Sequence, residues 1–256
     1  MKKSELIVLL NEKAEQYNRT DFIETDPIQI PHRFSKKEDI EIAGFLTSVI
    51  AWGQRKTIIN NALKLMELMD NAPHDFILNF KEKDLARFQG FVHRTFNYDD
   101  LLAFLNALQR IYRSEGGLEN AIAESFKVDL QNPGTGWNTF KTNFFSGPHL
   151  VRSKKHLPDP LKGSAAKRMN MYLRWMIRSD EKGVDFGIWK TMSPAQLYLP
   201  LDVHTSRVAR KLKLLSRKQD DWKAVVELTE KLRKLDPEDP VKYDFALFGL
   251  GAFEKY

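Results

Sequence analysis

Apolar side chains recur every three or four residues through most long segments of this chain, and alternating runs of the strand type are scarce. That spacing lines up one apolar stripe per helix, so the pattern predicts an all-α protein. Residues 3–18 read as a first helix. Breaks at Thr25-Asp26-Pro27 and Ile30-Pro31 precede Ser35-Lys36-Lys37-Glu38, a capping-box pattern that opens a helix to about Trp52, with Gly53 ending it. Helices follow at 55–70, in shorter pieces over 73–89, and at 98–114, where Leu101, Leu102, Leu105, Leu108 and Ile111 share a face. Gly116-Gly117 stops the last of these before a helix near 118–129. Asn132-Pro133-Gly134-Thr135-Gly136 and the stretch from Pro148 to Pro160 read as loops. Beyond them the pattern predicts a helix at 164–178 after the turn Leu161-Lys162-Gly163, and a short one from Ser193-Pro194. Three more follow at 203–214, 220–235 and 240–252, with Asp202 where a cap belongs.

Composition narrows the class. At 256 residues and 42% hydrophobic content the chain can bury a sizeable core. We expect one globular unit over 1–256 with two interleaved helical subdomains around a central cleft. Residues 35–150 form one half, 151–215 a hairpin half that carries the chemistry, and 216–256 the helices that close the unit. The absence of cysteine excludes disulfides, thiolate zinc sites and cysteine-ligated iron–sulfur clusters. The six histidines are scattered, without a His-x-x-x-His pattern, so no metal and no cofactor is expected. Near the N-terminus the apolar run is short and ends at Asn11-Glu12-Lys13, and no 18-residue apolar stretch occurs anywhere. The expectation is a cytoplasmic monomer with no membrane contact.

Charge adds a partner class. The 40 Lys and Arg exceed the 34 Asp and Glu, giving +6, which favours polyanions. From Arg152 to Arg178 eight cations stand against Asp159 alone, and from His204 to Lys218 six stand against no acid. A solvated helix face explains part of this, because cations near helix C-termini complement the dipole. Lys162, Lys167 and Arg168 fit that explanation less well. They flank a glycine turn at a helix N-terminus, where free N–H groups favour phosphate.

Two segments carry a family resemblance. Leu161-Lys162-Gly163-Ser164-Ala165-Ala166-Lys167-Arg168-Met169-Asn170 resembles the hairpin Leu-Pro-Gly-Val-Gly-x-Lys-x-Ala-Asn of the helix-hairpin-helix DNA glycosylase superfamily. Leu199-Pro200-Leu201-Asp202-Val203-His204-Thr205-Ser206-Arg207-Val208-Ala209-Arg210-Lys211-Leu212 resembles that superfamily's Pro-Val-Asp-Thr-His-x-x-Arg-Val-x-x-Arg-Leu segment. The 35 positions from Lys167 to Asp202, together with the missing cysteines, bring the chain nearer to the 8-oxoguanine glycosylases and AP lyases that lack an iron–sulfur cluster. It departs from the pattern at Ala165, where family members carry a second glycine. The whole chain also resembles an uncharacterised bacterial family. Upstream, Trp52-Gly53-Gln54 resembles the early family segment that places a glutamine or asparagine near DNA.

The resemblance implies a bifunctional DNA glycosylase acting on double-stranded DNA with a damaged base, such as an oxidised one, or an abasic site. Lys167 would attack the sugar C1′ and form a Schiff base, while Asp202 would assist. Lys162, Gly163, Ser164, Ala165, Arg168, His204, Arg207, Gln54 and Trp52 would contact DNA. The attacking amine must be neutral, which calls for desolvation or cations nearby such as Arg168. Asp202 would place negative charge beside a forming oxocarbenium ion. An extruded base needs a pocket, for which Trp175, Trp189, Phe245 and Phe248 are available. Each residue also has a plainer reading. Asp is a favoured N-cap whatever its function, a Trp ending an amphipathic helix belongs to a core, and His204 suits a buttress of the turn. A non-catalytic helix-hairpin-helix nucleic-acid-binding protein and a helical protein-interaction module stay open as alternatives.

Overall fold

The computed structural model describes residues 2–129 and 133–256, and its secondary structure is all-α apart from one small hairpin. The chain divides into two compact units, one from Met1–Thr25 and Pro160–Tyr256, the other from Asp26–Asp159. Among the described residues no helix is long and apolar enough to cross a membrane.

In the unit formed by residues 26–159, α2 (Lys37–Ile50) is the most deeply buried helix, with Ile42, Phe45, Val49 and Ile50 fully enclosed. Its start departs from the sequence pattern. Lys36 is the cap, no side chain caps it, and the Ser35 box does not form. α3 (Arg55–Leu68) follows Gly53, whose φ of +110° is left-handed backbone that favours glycine. The predicted 73–89 stretch splits into α4 (Pro73–Asn79) and a 3₁₀ turn (Glu82–Phe88). Two strands of two residues, β1 (Val92–His93) and β2 (Phe96–Asn97), pair antiparallel before α5 (Tyr98–Ser114). In α5 the predicted stripe is buried at Leu101, Leu105, Leu108 and Ile111.

α6 spans Gly117–Phe126 and α7 spans Pro133–Phe144. The second corrects the expected loop at 132–136, of which Asn132 lies outside the described residues. Proline is tolerated in a first helical turn, and Trp137, Phe140 and Phe144 form a buried stripe. Gly136 is a packing notch: a Cβ there would meet the Phe126 ring at 2.7 Å. The stretch 148–160 has the expected loop character, with 3₁₀ turns at Val151–His156 and, opening the other unit, Pro160–Lys162.

In the unit that holds both chain ends, α1 (Lys3–Tyr17), α8 (Lys167–Ile177), α9 (Val203–Lys211) and α10 (Trp222–Arg233) accompany α11 (Tyr243–Ala252). α11 is apolar on nearly every side and correspondingly buried. Two glycines admit its neighbours. Gly249 faces the Tyr17 ring of α1 so closely that a Cβ has no room, and a Cβ on Gly251 would lie 2.9 Å from the His204 carbonyl of α9. Trp175, Trp189 and Phe245 are core side chains here, each no more than 2% exposed.

Candidate functional site

The turn before α8 is built by its own backbone. The Gly163 N–H donates to the Pro160 carbonyl at 2.9 Å, and the Gly163 carbonyl accepts from the Trp222 N–H at the start of α10 at 3.3 Å. Gly163 has a φ of +90° with open space where a Cβ would be, so conformation rather than room selects glycine. The second left-handed residue is Ala166, at φ +51°, whose N–H reaches Ser164 Oγ at 3.3 Å. Ala165 is not left-handed, so the family's second glycine is not missed there for a backbone reason. Its carbonyl accepts from the Asn170 side chain at 3.4 Å. α8 therefore begins at Lys167, three residues later than the apolar pattern places it.

Opposite this turn, Asp202 caps α9. Its Oδ1 accepts from the His204 and Thr205 N–H groups, both at 2.9 Å, which leaves Oδ2 to face Lys167 Nζ at 3.4 Å. The capping role and the juxtaposition with lysine thus coexist, one per oxygen. The Lys167 side chain is 39% exposed and that of Asp202 15%, so the amine borders solvent instead of being sealed against the acid. Two positions that the sequence separates by 35 residues are in contact.

The remaining sequence-derived residues divide. Lys162 and Gly163 are exposed, Ser164 and Ala165 half-buried, and Arg168 is half-buried, with desolvation lowering its guanidinium to about 10, still charged at neutral pH. Arg207 donates to the Gly251 carbonyl at 2.6 Å and so ties α9 to α11. His204 packs edge-on against Phe248 at 6.0 Å, with Nδ1 buried and lacking a hydrogen-bond partner, which fits the buttress reading. Gln54 and Trp52 belong to the 26–159 unit. Gln54 is exposed at the cap of α3. Trp52 is half-buried, edge-on to His93 at 6.0 Å, with the Arg94 guanidinium 4.7 Å from its ring centre.

The basic stretches need a correction, because most of their arginines are engaged with acids that lie outside the two counted windows, some only a few residues beyond them. Arg152 pairs with Asp100 at 3.0 Å, Arg210 with Asp220 at 2.5 Å, and Arg217 with Asp221. Arg174 pairs with Asp185 at 3.2 Å and with Asp244, and Arg178 with Asp180 at 2.6 Å, Asp239 at 2.9 Å and Asp185 at 3.2 Å. Counting charges in a sequence window missed every one of these partners.

Asp244 is the residue that sequence reasoning passed over. It sits in the first turn of α11, 7% exposed, and its carboxylate feels Arg174, Asp202, Lys167 and Asp185. Burial is the largest influence and Asp202 adds to it; together they outweigh the two cations and push the carboxyl up to about 6. Asp185 and Asp239 are also raised, chiefly by burial, whereas Asp180 is held below its usual range. For Asp180, burial is outweighed by Arg178, the Asn18 side chain and the Lys182 N–H. A signal was available: one acid in a helix otherwise apolar all round must be partnered.

Among the described residues no group of three or more His, Asp and Glu side chains is placed to hold a metal ion. A family model described as "Protein of unknown function (DUF2400)" matches residues 26–253, and the chain belongs to that family. No curated protein and no solved structure matches the chain.

Proposed function

We propose that this family member is a DNA glycosylase with AP lyase activity that works through a Schiff base on Lys167. The observation that supports it most is the contact of an accessible lysine amine with a helix-capping carboxylate, 3.4 Å apart, at the end of a glycine turn. Neutral Lys167 would attack C1′ as the bond to the base breaks, the base leaving with a proton, and ring opening would give the imine. On an abasic sugar the same amine would condense with the aldehyde and release water. Loss of the C2′ proton would then expel the 3′ phosphate and cut the strand. Asp202, its Oδ1 fixed by the two N–H groups it caps, would turn Oδ2 toward the positive charge developing on the sugar.

Borohydride trapping tests this on duplexes that carry one abasic site, uracil, oxidised base or alkylated base. The expected result is a covalent adduct with the unaltered protein and a loss of at least about 100-fold with Lys167→Gln. Asp202→Asn keeps a capping side chain and should slow base release more than abasic-site cleavage. Failure to trap on any of these duplexes, or equal trapping by Lys167→Gln, sinks the proposal. A non-catalytic nucleic-acid-binding protein is the second reading, favoured by the side chain that Ala165 adds where a glycine would let the hairpin backbone approach DNA most closely. It predicts binding that falls as salt rises and is unaffected by Lys167→Gln, with no turnover.

A further inference from the structure

We infer that Asp244 is a positioning residue of the Lys167–Asp202 site, a carboxyl behind the pair that takes up and releases a proton and thereby sets the charge around the amine. The inference rests on the reading of Lys167 as the reacting amine. Lys167 and Arg174 are seven residues apart on α8, two turns along one face. Lys167 meets Asp202 and Arg174 meets Asp244, so one helix face presents two cations to the cap of α9 and the first turn of α11. The loop after α8 folds back on its end, with the Phe186 N–H on the Trp175 carbonyl at 2.8 Å, and this brings Asp185 to Arg174 from a third side.

Among the described residues this network draws more acids than cations together: Lys167, Arg174 and Arg178 pair with Asp180, Asp185, Asp202, Asp239 and Asp244. Carboxylates crowded together out of water cannot all stay ionised, so some must hold protons near neutrality. Among the described acids raised by burial, Asp244 is the one on which Lys167 and Asp202 both act, and burial pushes its carboxyl up to about 6. An ionised Asp244 adds negative charge beside the Lys167–Asp202 pair, and a protonated Asp244 withdraws it.

Single-turnover trapping on an abasic duplex from pH 5 to 8, with the full chain, reads this directly. The unaltered protein should show a break near pH 6, where Asp244 ionises and opposes the rise in rate. Asp244→Asn should lose the break and run about threefold faster at pH 7, equivalent to half a pKa unit of coupling. A uniform loss of rate with the break retained is a structural effect and overturns the inference, as do superimposable profiles. Carbon-13 NMR titration of the Asp244 carboxyl, in the unaltered chain and in Lys167→Gln, keeps the test independent of whether Asp244→Asn folds. Removing the lysine should move the midpoint up by about half a unit; an unmoved midpoint refutes the coupling. Because this titration needs no DNA, a protein that traps on no duplex sinks the lyase reading and leaves the Asp244 coupling to stand or fall on the NMR result.

Discussion

Each unit buries a carboxylate; burial raises both, yet the net shifts run in opposite directions. In the 26–159 unit, Asp100 is fully buried and receives Ser153 Oγ at 2.7 Å, the Asn97 N–H at 3.1 Å, Arg152 at 3.0 Å and His156 at 3.1 Å. Burial pushes its carboxyl up, but those donors and charges outweigh it and hold Asp100 below its usual range. In the other unit, Asp244 shares Arg174 with Asp185 and has Asp202 as a further acidic neighbour, and it is raised. Both are shielded from solvent, but the desolvation that opposes ionisation weighs more heavily on Asp244. The supply of donors differs as well: four converge on one acid in the first case, while several acids compete for few cations in the second. Surplus donors make a clamp, and surplus carboxylates make a place where protons are kept.

The strongest way to break this comparison is to delete each acid. Asp100→Ala strands buried donors and removes the reciprocal box at the start of α5, and should cost about 3–5 kcal/mol in urea unfolding. Asp244→Asn should cost under about 1.5 kcal/mol at pH 7, since it relieves an excess of negative charge. Equal losses would erase the distinction.

Acid titration gives the next largest effect, and the signs oppose. Asp100 has a folded-state pKa below its unfolded value, so its stabilisation is present above about pH 4 and fades as pH falls. Asp244 is raised to about 6, so its contribution is full below about pH 4 and is lost as pH rises through 6. In thermal unfolding from pH 3 to 8, Asp244→Asn should gain on the unaltered protein as pH rises, by up to about 3 kcal/mol. Asp100→Asn should gain on it only as pH falls below about 4.

The backbone of the site sharpens the contrast, because its costs should not depend on pH. Gly163→Ala places a side chain at φ +90° and should cost about 1 kcal/mol at any pH from 4 to 8. Asp202→Ala removes a cap that serves two N–H groups, also worth about 1 kcal/mol, while Asp202→Asn should lose only a few tenths. A Gly163→Ala cost that varied with pH would mean the turn and the charge network are one device.

How much of this was legible in the sequence varies with the range of the forces involved. α1, α3 and α5 stand within two residues of their expected bounds, because one apolar face decides a long helix. α7 was not legible: Pro133, Gly134 and Gly136 carry a loop signature, and only a ring from α6 reveals why a glycine belongs in that helix. β1 and β2 are too short to show any alternation. The pairing of Lys167 with Asp202 came from family resemblance, since no local pattern joins residues 35 positions apart. Asp244 was legible only in part. A lone acid in an apolar helix calls for partners, but those that surround it come from α8, the loop after it and the cap of α9.

The two glycines of α11 have a practical consequence. The family match starts at residue 26, yet α1 lies before it and seats Tyr17 in the dent at Gly249, with the Tyr17 and Phe253 rings stacked at 5.5 Å. A recombinant fragment trimmed to the matched span would strip one wall from an apolar helix and bare its peptide groups to water. Such a fragment should aggregate or melt early, and any inactivity it showed would come from the cut and leave the chemistry untouched.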